Sequence, residues 1–371
     1  MKTLKRILQI GMTSNYGGIE SFIMNVYRNI DRKKFQFDFI NMETDNKPIA
    51  YSDEIKSLGG KIYKIPGRRE NIKENRNQLK KIIRENNYDF VHNNVLTWSY
   101  SDGITLPLKY SSSQVIVHSH NSYMNPGMYT RRILNFVNRR LNKKDNIVRL
   151  ACSKEAGKWL FSNKEFKIIP NGIVTKDFKF SSKIRSEYRK KFNVENKKVF
   201  LNVGRLSYQK NHRFLFQWFT EIYKRDHNSV LFLVGDGELK NDLKREVELL
   251  NLASNIKFLG IRQDVKNLMF MSDVLLFPSF YEGLPVVLVE AQATGLKAVI
   301  SNTISKEIDI TPNIERIDIS KSPSQYAELA LKKASEISIS DRNKAYLKVR
   351  EAGYDIANTV KMLEEIYSVE Y

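Results

Sequence analysis

Short runs of apolar residues alternate along the chain with longer segments whose apolar residues recur every three or four positions. The short runs are typical of strands, and the longer segments are typical of amphipathic helices. Their repeated alternation predicts parallel sheets built from βαβ units. In the first half, strands are predicted at 6–10, 35–41, 61–65, 90–92, 115–118 and 148–152, with helices near 19–29, 72–85 and 128–141.

The same alternation restarts in the second half, after a polar stretch at 175–198 that is rich in Lys and Ser. We therefore predict two α/β domains with Rossmann-like, doubly wound sheets, at residues 1–180 and 181–350. Residues 351–371 carry apolar residues at helical spacing and are predicted to form a helix. The later strands are predicted at 199–203, 231–234, 256–259, 274–277 and 298–300.

Length and composition indicate the number of domains and the cellular compartment of the protein. A length of 371 residues suits two domains that each bury a core. Cys152 is the only cysteine, which excludes an intrachain disulfide and indicates a reducing compartment. No apolar stretch approaches the length of a membrane span, and the N-terminus is better interpreted as a strand than as a signal peptide. We expect a cytoplasmic protein, with a peripheral position at the inner face of the cell membrane left open.

The positive charge is concentrated in the first half. Residues 1–180 contain 32 Lys and Arg against 16 Asp and Glu, whereas residues 181–371 contain 29 against 25. The asymmetry predicts an anionic partner for the first half: nucleic acid, acidic lipid or a phosphorylated acceptor.

The most informative segment reads FPSFYEGLPVVLVEAQATGLKAVIS and begins at Phe277. It places two carboxylates, Glu282 and Glu290, eight residues apart around the predicted start of a helix. Pro285 suits the first helical turn and Gly295 suits the end of the helix. Eight helical residues rise about 12 Å, which is roughly the span of a nucleotide sugar from ribose to hexose. The alternative is a pair of surface glutamates on an amphipathic helix.

The start of a helix after a buried strand also favours an anion. The first-turn N–H groups lack intrahelical partners and lie at the positive end of the helix dipole, which suits a phosphate. Glu290 stands among Val286 to Val289 and Ala291, where an unpaired charge would be costly. The paired hydroxyls of a ribose would satisfy it.

This Glu-x7-Glu segment resembles the retaining glycosyltransferases of family 4, in the form found in bacterial capsule and exopolysaccharide enzymes. The resemblance implies a GT-B fold, in which two Rossmann-like domains face each other across a cleft and the last helix returns to the first domain. It also implies a nucleotide-diphosphate sugar as donor and no metal or other cofactor in the transfer step. Uridine diphosphate is taken as the default nucleotide of the donor because it is common in the resembled group.

A second motif, which is cationic, follows the first strand of the second half, in LNVGRLSYQKNH. Arg205 and Lys210 can hold a diphosphate and neutralise a departing nucleotide, although solvated loop charges are the alternative. In the resembled family this Arg and this Lys bind the donor phosphates. The nearby Gly235-Asp-Gly237 lacks the third glycine of a dinucleotide fingerprint and is interpreted as a structural turn.

The first half supplies a glycine pair and several histidines. Gly17 and Gly18 stand between the first strand and its helix, where the resembled family has a glycine loop that faces the donor. His118 and His120 end a strand, but no Cys or third ligand accompanies them, so a metal site is not expected. The resemblance places His120 beside the transferred sugar. His92, at the end of its own strand, is a second-ranked candidate for which a structural role is the preferred interpretation.

The resemblance therefore implies transfer of a hexose or N-acetylhexosamine to a glycan or a polyprenyl-diphosphate-linked acceptor, by front-face attack. Two other classes remain open: a sugar-nucleotide epimerase, and a basic nucleic-acid-binding protein, for which no signature is found. The implied catalytic residues are His120 and Glu282, and the implied donor-binding residues are Gly17, Gly18, Arg205, Lys210, Gly283, Leu284 and Glu290.

A basic amphipathic segment, TRRILNFVNRRLNKK, occupies residues 130–144. Its cations and its apolar stripe suit the headgroup region of an anionic membrane. The alternative is that the stripe packs on the domain's own sheet while the charges are merely solvated.

Overall fold

The computed structural model describes residues 4–124, 129–336 and 338–369. Met128, at the start of the helix predicted for 128–141, lies outside the described residues, as do residues 370 and 371 of the predicted C-terminal helix. The described residues form two compact units. The first extends to Gly172 and resumes at Ile356, and the second comprises Ile173–Asp355.

The first unit is built around a parallel sheet. In its described residues the strand order is β3-β2-β1-β4-β5-β6-β7, so the chain winds outward from β1 in both directions. The central strands are buried almost throughout because helices cover both faces of a parallel sheet. The strands are β1 (Lys5–Ile10), β2 (Phe35–Asn41), β3 (Ile62–Lys64), β4 (Phe90–Val95), β5 (Gln114–Ser119), β6 (Ile147–Ala151) and β7 (Lys167–Ile168).

The helices of the first unit connect these strands. Side-chain caps mark two of their starts: Asn71 accepts a hydrogen bond from the Glu74 N–H, and Ser153 accepts one from the Ala156 N–H. The helices are α1 (Gly18–Asn29), α2 (Ser52–Ser57), α3 (Ile72–Glu85), α4 (Asp102–Tyr110), α5 (Tyr129–Asn138), which a 3₁₀ turn continues at Arg139–Lys143, and α6 (Lys154–Phe161).

The second unit repeats the design. Its sheet, in the described residues, has the parallel order β10-β9-β8-β11-β12-β13. The strands are β8 (Lys198–Val203), β9 (Ser229–Val234), β10 (Ile256–Gly260), β11 (Val274–Phe277), β12 (Lys297–Ser301) and β13 (Ile314–Ile317).

A large aromatic core stabilises the second unit. Phe216, Trp218 and Phe219 of one helix are fully buried in a cluster that includes residues of several strands. The helices are α7 (Ser182–Lys191), α8 (His212–Arg225), α9 (Lys240–Leu249), α10 (Val265–Met271), α11 (Val286–Ala293), α12 (Ala327–Ser335) and α13 (Ile339–Val349). The predicted α/β class, with a doubly wound parallel sheet in each half, is confirmed.

The last helix, α14 (Ile356–Tyr367), belongs to the first unit. It packs against α1, and its Tyr367 is fully buried with its ring 5.3 Å from that of Phe90. Within the described residues, no helix is both long enough and apolar enough to cross a membrane.

Candidate functional site

Two loops form one platform at the carboxyl edge of the second unit's sheet. One follows β8 and the other follows β11, and these two strands are neighbours in the sheet. Gln209 joins the loops twice: its carbonyl accepts from the Phe280 N–H at 2.9 Å, and its Nε2 donates to the Tyr281 carbonyl at 2.8 Å. The rings of Tyr208 and Phe280 stack at 4.9 Å. Ligands of such sheets bind at this edge, so the platform is the candidate site of the unit.

The Gly235-Asp-Gly237 turn supports the first of these loops. A Cβ at Gly235 would lie 2.0 Å from the Gly204 carbonyl oxygen, and one at Gly237 would lie 2.4 Å from that of Leu206. Only glycine permits such close backbone approach. The turn therefore acts as a structural support for the loop that carries Arg205.

Lys210 and Glu282 meet across the platform. Lys210 Nζ lies 2.7 Å from Glu282 Oε1, and the two side chains are only 14% and 9% exposed. The same ammonium lies 4.5 Å from the centre of the Phe277 ring. A Cβ at Gly204 would come within 2.9 Å of Lys210 Cε, so the glycine leaves room for the lysine to cross the loop. The platform thus holds the largely buried Lys210 ammonium, which can interact with a bound anion in addition to Glu282.

Arg205 occupies a different environment. Its Nε lies 3.0 Å from Glu238 Oε2, and both side chains are about half exposed, at 53% and 54%. Exposed pairs of this kind contribute little to stability because water screens them. Breaking the Arg205–Glu238 ion pair therefore costs little free energy, so Arg205 can bind a ligand phosphate instead.

Helix α11 begins later than the sequence predicts. Pro285 is its N-cap with extended backbone, and the first helical residue is Val286. Glu282 consequently lies in the preceding loop, with Gly283 and Leu284 buried beside it. The predicted 12 Å helical rise between the two glutamates is wrong, because half of the interval is loop. The predicted end is confirmed, since Gly295 has φ +66° just after the helix.

Glu290 is the glutamate that α11 does carry. Its side chain is half-buried among the apolar residues of the helix, and burial raises the pKa of the carboxyl to about 7. Among the described residues, no side chain makes a hydrogen bond or ion pair with this carboxylate. A ligand that donates hydrogen bonds would stabilise its charged form.

In the first unit, His120 directly follows β5 and its ring contacts Asn94. His120 Nε2 lies 3.0 Å from Asn94 Oδ1, while Asn94 Nδ2 donates to Gln9 Oε1 at 2.9 Å. This network assigns the proton of the imidazole to Nε2 and leaves Nδ1 as an acceptor. Burial lowers the pKa of His120 to about 3, so the ring is neutral at physiological pH.

The other two histidines lie deeper in the sheet. His92 is within hydrogen-bond distance of Tyr367 Oη (2.7 Å) and of His118 Nδ1 (3.2 Å), and His92 and His118 are fully buried. The structural interpretation of His92 agrees with this network. The described residues contain no group of three or more His, Cys, Asp or Glu side chains arranged to hold a metal.

The glycine pair starts α1, and the two glycines differ. Gly17 is the N-cap, and its N–H and that of Thr13 both donate to the Glu20 carboxylate. A Cβ at Gly17 would lie 2.8 Å from Glu20 Oε2, whereas a Cβ at Gly18 would meet nothing within 4 Å. Gly17 thus approaches a side chain of its own helix closely, and Gly18 borders open space. Phe22 of the same helix packs on the His120 ring at 5.2 Å.

Sequence reasoning missed three polar residues near these positions. Asn94 orients His120, but a buried asparagine near the end of a strand has no distinctive pattern. His212 and Ser279 are buried in the second unit, and their side-chain polar atoms have no hydrogen-bond partner in the described structure. His212 follows Lys210 so closely that the Lys-Asn-His sequence could have indicated it.

Comparison with protein families assigns both halves of the chain. Residues 16–177 match the model described as Glycosyltransferase Family 4, and residues 184–317 match the model described as Glycosyl transferases group 1. EpsF from Bacillus subtilis (strain 168), a protein named as a glycosyltransferase, is 33% identical over 378 residues, which cover 98% of this chain and 97% of EpsF. The chain belongs to glycosyltransferase family 4.

Other relatives of this glycosyltransferase are also named as glycosyltransferases. The capsular polysaccharide biosynthesis glycosyltransferase CapH of Staphylococcus aureus is 28% identical over 381 residues, with 98% of each chain covered. A galactosyltransferase of Escherichia coli, named for UDP-Gal and α-D-GlcNAc-diphosphoundecaprenol, is 38% identical over 144 residues, or 37% of each chain. This enzyme is therefore a glycosyltransferase of polysaccharide biosynthesis.

Solved structures share the fold of this glycosyltransferase. HepE from Anabaena in complex with UDP-glucose has a TM-score of 0.81 at 18% identity, with 98% of this chain and 99% of HepE covered. WaaG, a glycosyltransferase involved in lipopolysaccharide biosynthesis, has a TM-score of 0.75 at 16% identity, with 98% and 100% covered. The expected GT-B class is confirmed.

Proposed function

We propose that this glycosyltransferase transfers a hexose or N-acetylhexosamine from a uridine-diphosphate sugar to a polyprenyl-diphosphate-linked glycan, with retention of anomeric configuration. The main support for the proposal is the platform in the second unit. There Lys210 and Glu282 form a largely buried ion pair, and Glu282 lies in the loop that leads into α11. The choice of nucleotide is supported by HepE, whose structures contain UDP-glucose and UDP. The choice of acceptor class is supported by the name of the Escherichia coli relative.

The platform can divide the donor among its residues. Glu290 takes the ribose hydroxyls, because its carboxylate otherwise lacks a partner among the described residues. Lys210, Arg205 and the Gly283 and Leu284 amides take the diphosphate, whose charge the two cations neutralise as it leaves. Glu282 takes the hexose hydroxyls, and the family resemblance adds His120, Gly17 and Gly18 from the first unit.

The ion pair also supports a front-face route. Glu282 Oε1 is held by Lys210 at 2.7 Å, which suits a hydrogen-bond acceptor better than a nucleophile. The acceptor hydroxyl then bonds to the anomeric carbon on the side that the diphosphate leaves, and the departing phosphate oxygen takes the hydroxyl proton. Cationic side chains rather than a metal neutralise the departing charge in this scheme.

A donor panel tests the proposal. Purified protein is incubated with uridine- and guanosine-diphosphate sugars, a polyprenyl-diphosphate-linked N-acetylglucosamine and, in a parallel series, a chelator. We expect transfer or slow hydrolysis with a uridine-diphosphate sugar, insensitivity to the chelator, and a product whose anomeric coupling constant matches that of the donor. Isomerised sugar nucleotide without transfer would indicate an epimerase, and rescue of a chelated enzyme by manganese would contradict the metal-free scheme.

Donor affinity should depend on pH through Glu290. The raised pKa of about 7 means that the free carboxyl is largely protonated below pH 7, whereas ribose hydroxyls bind best to the carboxylate. Donor binding should therefore strengthen as pH rises, by about tenfold between pH 6 and pH 8, and level off above. Calorimetric titration with a uridine-diphosphate sugar measures this change. Glu290→Gln should bind more weakly and without that slope; a slope that persists in this variant would assign it to another group.

A further inference from the structure

Helix α5 presents its apolar side chains to solvent. Within the described residues, it contains no buried residue at all. The alternative that the apolar stripe packs on the domain's own sheet therefore fails for the apolar residues of α5, whereas Leu141, in the 3₁₀ turn that follows, is buried. The exposed fractions are 75% for Tyr129, 64% for Ile133, 44% for Leu134, 77% for Phe136 and 45% for Val137.

The side of α5 that faces the protein is polar. Asn135 Oδ1 accepts from the Trp98 N–H at 2.7 Å, and Asn138 Nδ2 donates to the Trp98 carbonyl at 2.9 Å. One turn further, Asn142 Nδ2 donates to the Phe161 carbonyl at 2.7 Å. These asparagines recur at helical spacing, so they form one face of the segment. The usual arrangement of a surface helix, apolar inward and polar outward, is reversed here.

Cations surround the exposed apolar side chains. Residues 129–144, which we call the docking segment, contain six Lys and Arg and no Asp or Glu. All six of these side chains are exposed: Arg131, Arg132, Arg139, Arg140, Lys143 and Lys144. Six cations around an apolar stripe complement a surface that is anionic outside and apolar beneath, which describes a bilayer of acidic lipids.

The docking segment is also held in place before any partner arrives. Arg149 Nη2 donates to the carbonyls of Asn142 and Lys144, at 2.6 Å each, and Arg139 Nη2 donates to Ser162 Oγ at 2.8 Å. A surface that is already ordered loses little conformational entropy on binding.

Neighbouring elements add aromatic residues of the kind found at membrane interfaces: Trp159 of α6 and Tyr123 of the segment that follows β5. Trp159 Nε1 donates to the carbonyl of Leu96, two residues before the Trp98 backbone that holds α5. Leu96 is 47% exposed, and Tyr123, whose ring lies 6.3 Å from that of Trp159, is 42% exposed. Trp and Tyr are enriched where apolar lipid meets water.

We propose that the docking segment lies in the headgroup region of an anionic lipid bilayer, with Tyr129, Ile133, Phe136 and Val137 inserted and the cations contacting lipid phosphates. This surface goes beyond the proposed transfer reaction and does not depend on it. It would hold the enzyme at a lipid surface, where a polyprenyl-linked acceptor also resides.

Vesicle sedimentation tests the charge contribution. The full-length protein is mixed with vesicles of phosphatidylglycerol and phosphatidylcholine, or of phosphatidylcholine alone, at about 0.02 M salt, where screening is weak. We expect wild-type protein to sediment with the anionic vesicles only. Arg140→Glu/Lys143→Glu/Lys144→Glu should weaken this binding about a hundredfold. The matched control Lys33→Glu/Lys47→Glu/Lys56→Glu changes the net charge equally on exposed residues outside the segment and should keep most of the binding.

A second pair of variants tests insertion. Ile133→Ser/Phe136→Ser should lose at least about tenfold in binding to the same vesicles, because each change removes a side chain from the apolar stripe. Ile72→Ser/Leu249→Ser alters two comparably exposed apolar residues elsewhere and should bind like wild type. Hydrolysis of a uridine-diphosphate sugar in solution should be the same for all variants, so this test is separate from that of the proposed reaction.

Three results would overturn the proposal. The first is wild-type protein that ignores anionic vesicles at low salt. The second is equal loss of binding in the control and docking-segment variants. The third is a concentration-dependent dimer in light scattering that Ile133→Ser/Phe136→Ser abolishes without any vesicle binding by wild type, since a second copy would then cover the apolar face.

Discussion

Lys210→Ala should lower the turnover number by a factor of about a hundred or more, because it removes the cation that neutralises the departing diphosphate. It should also lower the free energy of unfolding, since Glu282 is left as a largely buried carboxylate without its 2.7 Å partner. Rates should therefore be measured at a temperature where circular dichroism shows the variant folded. Single-turnover transfer with a uridine-diphosphate sugar gives the chemical step directly.

Arg205→Ala separates these two effects. Its ion pair with Glu238 is half exposed, so the variant should unfold at nearly the wild-type temperature and still lose about a hundredfold in rate. Lys224→Ala is the matched control: this lysine also lies 2.7 Å from a glutamate, Glu221, but on the exposed surface of α8. It should keep full activity. Wild-type rates in folded Lys210→Ala and Arg205→Ala would remove both residues from the reaction.

Substitution of the two glutamates should affect different quantities, donor affinity for Glu290 and turnover for Glu282. Glu290→Ala should weaken donor binding by about 10- to 150-fold for each hydrogen bond to a ribose hydroxyl that it removes, since a hydrogen bond to a charged group contributes about 1.5–3 kcal/mol. Glu282→Ala should instead lower turnover at saturating donor more than it raises the Michaelis constant, because its hydrogen bonds to the hexose strengthen as the sugar reacts. Calorimetry and initial rates on the same preparations measure the two effects. If both variants keep wild-type affinity and rate, the donor is not held by this motif.

Sequence pattern predicted the central strands well, and it predicted the edge strands β3 and β10 but missed the edge strands β7 and β13. Strands β1, β2, β8 and β11 are buried runs, which have an unmistakable pattern. Strand β7 has two exposed residues and β13 has one buried residue in four, so neither produces an apolar run. Their pairing is determined by tertiary contacts, which local pattern does not contain.

The candidate site was predictable in its residue types but not in its geometry. The motif pointed to Glu282, Glu290 and Lys210, yet the contact between Lys210 and Glu282 joins residues 72 positions apart. The start of α11 was misplaced because Pro285 is compatible both with a first helical turn and with an N-cap. Helix α5 shows the same limit, since periodicity reveals an apolar stripe but does not say which side faces the protein.

The proposed reaction requires that a nucleotide sugar bind the platform formed by residues 204–211 and 281–290 of the second unit. Hydrogen–deuterium exchange of the full-length protein, with and without saturating UDP, tests this binding without any substitution. We expect slower amide exchange in those two segments, including the Gly283 and Leu284 amides before α11. Protection confined to other segments, or none at saturating UDP, would contradict the assignment of the donor to this platform.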